Sequence, residues 1–328
     1  MRIFVTGSSG FVGTGLIAYL LADPSHRIVA TRRGPMQSPD PERVHSIQVG
    51  DVNANTDWRT AMDDVDAVVH LAARVHVMND AAADPLAAFR RVNVDGSLRL
   101  ARQAAAAGVR RFVYLSSIKV NGEITQADRP FTAQDTARPH CLYGLSKHEA
   151  EMGLRRLADS TGMELVIVRP PLVYGPGVRA NFLSMMRWLQ RGIPLPFGAI
   201  DNRRSLVALD NLCDLIAVCL RHPDASGRTF LAGDGEDVST AQLLVRLGAA
   251  LGRPARLLSP SPALLSALFG MVGKGEFSRR LCSSLQVDID AAREEMGWRP
   301  PISLDEGLRR AAAAFLAESA HPPKTGST

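Results

Sequence analysis

This sequence has little cysteine. Of 328 residues only Cys141, Cys213, Cys219 and Cys282 are of this type, and no two stand at a metal-ligand spacing. That excludes a disulfide framework or a cysteine-held metal knot and suits a reducing compartment. Runs of one charge are missing as well. The net charge of +5 is spread along the chain, with only short pairs such as Arg32-Arg33 and Arg203-Arg204, which favours individual anion contacts over a nucleic-acid stripe. Long apolar runs are also absent. The most apolar later stretch, Ala263 to Val272, falls short of the roughly 20 residues a bilayer demands, so it reads as a buried helix and no integral membrane segment is expected. No charged leader or cleavage site precedes the strand-like Ile3-Phe4-Val5, which reads as a mature cytoplasmic start, and no internal repeat is seen.

What is present is an ordinary globular composition, 46% hydrophobic and 22% charged, in a chain long enough for one large or two modest domains. Ile3-Phe4-Val5 leads into Thr6-Gly7-Ser8-Ser9-Gly10-Phe11-Val12-Gly13 and then into the amphipathic run Leu16 to Leu21. Strand, glycine turn and helix in that order predict a seat for the pyrophosphate of a dinucleotide. Gly7 permits the tight turn, Gly10 lets backbone amides approach the phosphates, and Gly13 lets the helix pack closely, while Ser9, Phe11 and Val12 complete the turn.

The second strand, His26 to Thr31, ends in Arg32-Arg33, where NAD-selective sites place an acid for the ribose 2′-hydroxyl. A guanidinium suits a 2′-phosphate, so NADP(H) is the expected cofactor and NAD(H) the alternative. Asp51 and Val52 follow a third strand, Ser46 to Val49, as adenine-side contacts. Ala67 to Ala73 reads as a buried strand whose small end, Leu71-Ala72-Ala73, lets the backbone run close under the cofactor, with His70 as a packing residue. A long helical pattern from Pro85 to Ala107 contains Asn93, and the strand Arg111 to Leu115 ends in Ser116-Ser117. Strands alternating with helices predict an α/β fold with a doubly wound parallel sheet.

Tyr143 and Lys147 stand four residues apart at the start of a predicted helix and share one face. An ammonium near a phenol favours the phenolate, drawing the tyrosine down from about 10 towards the range of a working acid or base.

Thr-Gly-x-x-Gly-x-x-Gly, His70-Leu71-Ala72-Ala73, Ser116-Ser117 and Tyr143-x-x-x-Lys147 resemble, in order and spacing, the extended short-chain dehydrogenase/reductase family of NAD-dependent epimerases and dehydratases. The resemblance implies Ser117 as the catalytic serine, Tyr143 as the general acid/base, and Lys147 as the lysine that lowers the tyrosine and holds the nicotinamide ribose. It also implies Pro170 on the cofactor side. Arg169 to Gly177 is similar to a run in nucleotide-sugar members, with Leu172 where those carry a substrate-binding Asn and Asn181 as a replacement from the next loop. Phe197 falls on their uracil-packing segment, Arg203 on their diphosphate-binding arginine and Arg204 where they usually carry an acid, a doubled arginine that suits a diphosphate through bidentate bonds, and Arg280 (or Arg279) falls on a second phosphate or ribose contact. A UDP-sugar is thus the implied partner, together with a homodimer through the helices Pro85 to Ala107 and Gly144 to Leu157.

Residues 1–170 are expected to form the dinucleotide-binding domain, its sheet completed by segments near 204–232. Residues 171–318 form mainly the nucleotide-sugar lobe, and 319–328 have the composition of a disordered tail. The wording is most similar to bacterial 4-ketoreductases of UDP-linked 2-acetamido-2,6-dideoxyhexoses, which supply N-acetylquinovosamine or its fucosamine epimer to O-antigen and capsule. That implies hydride transfer to the sugar C4 ketone with a proton from Tyr143. The rivals are a UDP-hexose 4-epimerase with tightly bound NAD and a non-catalytic dinucleotide sensor on the same fold.

Overall fold

In a computed structural model, residues 1–34, 40–75, 82–126, 128–260 and 282–320 are described. Arg279 and Arg280, the apolar stretch 263–272 and residues 321–328 lie outside them.

Seven parallel strands form one sheet: β1 (Arg2–Thr6), β2 (Arg27–Arg32), β3 (Val44–Gln48), β4 (Ala67–His70), β5 (Arg111–Leu115), β6 (Glu164–Arg169) and β9 (Thr229–Leu231), in the spatial order β3-β2-β1-β4-β5-β6-β9. The period of two sorts each strand between two cores. Ile3 and Val5, Val113, Val166 and Val168 face one side with α1 (Phe11–Leu20) and α6 (Leu209–Arg221). Phe4, Phe112 and Tyr114, Leu165 and Ile167 face the other, with Trp58, α3 (Ser97–Ala106) and α4 (Leu142–Thr161). The near-continuous hydrophobic strands are those of a parallel sheet covered on both faces. The strand order reverses between β1 and β4, the switch point where open α/β sheets form a ligand crevice.

A second sheet holds β7 (Leu172–Tyr174), β8 (Arg204–Ala208) and β10 (Asp237–Val238) in the order β10-β8-β7, with a core of its own. That core is lined by α5 (Ala180–Gln190), α7 (Thr240–Ala250) and the last helix, α9 (Leu304–Ala320), while α8 (Asp290–Met296) packs on the first cluster. Within 204–232, α6 and β9 belong to the large sheet, and β8 belongs to the small one. The last helix runs through Ser319 to Ala320. The segment expected as one helix over Pro85 to Ala107 is interrupted: α2 (Pro85–Arg90) and α3 are joined by a wide π-turn, Arg91–Gly96, that carries Asn93.

Candidate active site

The cofactor end starts at the C-terminus of β1. Gly7 adopts a left-handed φ of +66°, and a Cβ there would lie 2.8 Å from the amide nitrogen of Ala72. A Cβ on Gly13 would lie 2.2 Å from the carbonyl of Gly7. Neither position admits a side chain, so the turn, the first helix and the end of β4 touch backbone to backbone. Gly10 is the N-cap of α1 and offers no side-chain cap, which leaves the first amides of a ten-residue helix for an anion. This cradle fits a dinucleotide diphosphate.

Ser9 is exposed, and Phe11, Val12, Leu71, Ala72 and Ala73 are half-buried around the cradle. At the end of β2, Arg32 is half-buried: Nη1 donates to the carbonyl of Gly34 at 3.2 Å, and its buried Nε has no partner among the described residues. Arg33 is exposed. Beyond β3, Asp51 lines a cavity of about 390 Å³ with Gln48, Asn53 and Trp58, while Val52 packs against Gly96 of the π-turn.

The reactive end is assembled by close contact. A Cβ on Gly144 would lie 2.6 Å from the carbonyl of Lys119, so the start of α4 presses on the 3-10 turn Ile118–Val120 that follows Ser117. This brings Tyr143 beside Ser117, near enough for the serine hydroxyl to favour the phenolate. Ser117 also accepts from the amide of Lys119 at 3.2 Å, and Cys141 caps α4, its sulfur accepting from the amide of Gly144 at 3.4 Å. Burial pushes Tyr143 up to about 12, and the Ser117 hydroxyl pulls it back. Lys147 is 1% exposed. Its Nζ donates to the carbonyl of Leu115 at 2.8 Å and sits 4.5 Å from the centre of the Tyr114 ring. Burial draws Lys147 down to about 7, and the Glu151 carboxylate one turn further on opposes that. The expected lowering of Tyr143 by Lys147 is therefore corrected for the protein without cofactor: the ammonium is engaged by Leu115 and Tyr114, and burial dominates the phenol.

Beneath the site lies a buried ion pair absent from the sequence reading. Arg169 Nε and Nη2 donate to the Glu151 carboxylate at 2.9 and 2.5 Å, Ser116 donates to the same carboxylate at 2.5 Å, and Arg169 Nη1 donates to Asn121 Oδ1 at 2.9 Å. The available signal was Glu151 four residues beyond Lys147, on the same face of α4. Pro170 is buried and accepts from the amide of Ile118 at 3.0 Å. Asn93 is fully buried and holds Ser146 and the backbone of Arg74. His70 does more than pack, because both ring nitrogens are hydrogen-bonded, to Thr6 at 2.6 Å and to Ser97 at 2.8 Å.

The residues expected to hold substrate differ in exposure. Arg203 is solvent-facing with a long 3.8 Å contact to Asp128, whereas Arg204 is half-buried and donates to the carbonyl of Ser283 at 3.1 Å. Phe197 is 5% exposed within the second core, so its ring packs among apolar side chains. Asn181 is exposed on α5, and Leu172 is exposed at the start of β7.

A family profile described as NAD dependent epimerase/dehydratase matches residues 3–233. The chain belongs to that family. It is 47% identical over 316 residues to a UDP-glucose 4-epimerase of Vibrio cholerae, covering 96% of this chain and 95% of that one. A UDP-glucuronic acid 4-epimerase of Bacillus cereus in complex with NAD superimposes with a TM-score of 0.79 at 20% identity, covering 99% of each chain. The RMD protein of Pseudomonas aeruginosa complexed with NADPH gives 0.71 at 22% identity, covering 96% of this chain and 99% of that one. These two likenesses speak for the fold, an α/β fold with a parallel seven-stranded sheet. As a member of the NAD dependent epimerase/dehydratase family the protein is an enzyme, and a nicotinamide dinucleotide is its cofactor. Among the described residues no helix is long and apolar enough to cross a membrane, and no group of side chains could hold a metal ion.

Proposed function

We propose that the chain is a UDP-hexose 4-epimerase working with bound NAD, in preference to the ketoreductase that the sequence alone suggests. The observation that carries the proposal is the Ser117, Tyr143 and Lys147 constellation above a glycine cradle in a chain 47% identical, along nearly its whole length, to a UDP-glucose 4-epimerase. The nicotinamide, when bound, supplies a reversible acceptor for the C4 hydride. Tyr143 takes the proton of the sugar 4-hydroxyl as that carbon is oxidised and returns it once the hydride has come back to the opposite face, so the reaction is balanced with no added reductant. Ser117 hydrogen-bonds the same oxygen in both half-reactions. Lys147 orients the ribose and places positive charge beneath the site.

A reading as 4-ketoreductase of a UDP-linked 6-deoxy-N-acetylhexosamine, serving O-antigen or capsule, rests on one observation. Arg32, whose buried Nε has no partner among the described residues, stands at the end of β2 where an acid would select NAD and a guanidinium suits NADPH. In either reading the enzyme works in the cytoplasm as a homodimer.

The test is to purify the protein, release any tightly bound dinucleotide by denaturation, and assay UDP-glucose and UDP-galactose with nothing added. Interconversion with released NAD supports the epimerase. No interconversion, with NADPH oxidised by a UDP-4-keto-6-deoxy-N-acetylhexosamine, replaces it with the reductase. Under both readings Tyr143→Phe is expected to lose activity by about 10²- to 10⁴-fold with dinucleotide affinity nearly unchanged.

A further inference from the structure

The polar contacts of His70 can be followed in both directions, and donor accounting fixes the position of every proton along the way. Thr6 Oγ1 accepts from the amides of Leu71 and Ala72, each at 3.1 Å. A hydroxyl has two lone pairs and one hydrogen, so its hydrogen must go to the remaining neighbour, His70 Nδ1, at 2.6 Å. Nδ1 is therefore bare, and Nε2 carries the ring proton. On that side Ser97 Oγ lies at 2.8 Å and already donates to the carbonyl of Asn93 at 2.7 Å, so it accepts from Nε2. Both ends agree on one neutral tautomer.

From the backbone carbonyl of Asn93 the line passes through that residue to its own side chain. The side chain of Asn93 donates to Ser146 Oγ at 2.9 Å, and Ser146 donates to the carbonyl of Tyr143 at 2.8 Å. The other arm ends at the amides of Leu71 and Ala72, the backbone against which Gly7 is packed too tightly for a Cβ. His70, Asn93, Ser97 and Thr6 are all fully buried. A buried chain of this kind gives each member one orientation, because every alternative leaves a donor or acceptor unmet.

We propose that His70 is a positioning residue that touches neither cofactor nor substrate and holds two parts of the site at once: through Nδ1 the dinucleotide turn, and through Nε2 the π-turn and the catalytic tyrosine. The proposal uses Tyr143 as the acid/base of the preceding reading, but its dinucleotide arm is read by binding alone.

The two arms separate by mutation. His70→Asn retains an acceptor near the Nδ1 position and loses the Nε2 donor. It should bind NADH within about threefold of wild type and lose kcat by about tenfold or more, the equivalent of about 1.4 kcal/mol. His70→Gln retains a donor near Nε2 and loses the acceptor. It should weaken NADH binding, read by fluorescence titration, by about tenfold or more. Ser97→Ala should copy the first variant and Thr6→Val the second, with Thr6→Ser restoring affinity. If both His70 variants change affinity and kcat by the same factors, or neither differs from wild type, the proposal is overturned. Should the His70 variants not fold, ¹⁵N NMR of the wild-type imidazole decides: a bare Nδ1 and protonated Nε2 support the assignment, and the reverse tautomer ends it. A chain that binds NADH with this split but turns over no UDP-hexose would leave the positioning role standing and remove the epimerase.

Discussion

Tyr143 is one of only four tyrosines, and in all four the phenol is raised. Burial and Asp214 push Tyr19 up to about 12, burial pushes Tyr143 to about 12, and burial lifts Tyr114 and Tyr174 as well. Each folded phenol thus holds its proton at a pH where the unfolded one, near about 10, releases it. The folded state then binds more protons than the unfolded state, so stability is full below about pH 10 and falls as pH rises from there through about 12. A spectrophotometric titration of the cofactor-free protein should show no tyrosinate before the onset of alkaline unfolding. Adding NAD brings positive charge to the nicotinamide side, and a single phenol should then titrate at lower pH. Tyr143→Phe should abolish that step; its persistence in the variant would assign the perturbed phenol elsewhere.

Among the elements, those carried by periodic hydrophobicity were legible in the sequence and those set by tertiary contact were not. The first strand, the glycine turn and the helix behind it follow from local chemistry. The π-turn at Arg91–Gly96 does not, because its apolar pattern still reads as helix. What opens it is Asn93, whose side chain is drawn to Arg74 and Ser146, and wide turns of this type often mark functional sites. Phe197 is buried and Arg204 half-buried, which a resemblance leaves unstated because it gives only positions along a chain. The close backbone packing of α1 makes its own prediction. Gly13→Ala puts a methyl 2.2 Å from the Gly7 carbonyl, so the helix must move off the turn at a cost of about 1–3 kcal/mol. Thermal melts should show the loss, and the shift on adding NAD should shrink or vanish with it.

At the scale of the molecule, the two cores are tied by one carboxylate. Asp234, 8% exposed, accepts from the amide of Ala208 at 2.7 Å, from Asn211 at 2.7 Å and from the Tyr174 hydroxyl at 2.8 Å. Asn211 in turn exchanges hydrogen bonds with the backbone of Ile302 just before the last helix. β7, β8, α6 and the approach to the C-terminal helix therefore meet at a single side chain. Asp234→Ala should leave the buried N–H donors of Ala208 and Asn211 unmet, while the Tyr174 hydroxyl keeps the Leu304 carbonyl at 3.2 Å, and lower unfolding free energy by about 2 kcal/mol or more, read by urea titration. Wild-type stability in that variant would show that apolar packing alone holds the lobes. The sequence announced the Rossmann half of this arrangement through its motifs. The second half was legible only by likeness to relatives, in runs such as Arg169 to Gly177, and Asp234 gains its meaning from partners 23–60 residues away.

The first helix begins on a residue with no side chain, so its leading amides look outward without a side-chain cap. An anionic dinucleotide can complete that turn, which makes the ligand a component of the folded chain as well as a reagent. By mass action, a free concentration one hundred times the dissociation constant adds about 2.7 kcal/mol to stability. The melting temperature of this enzyme should therefore track the dinucleotide concentration around it, and a cell depleted of nicotinamide would hold less of the protein in its native state.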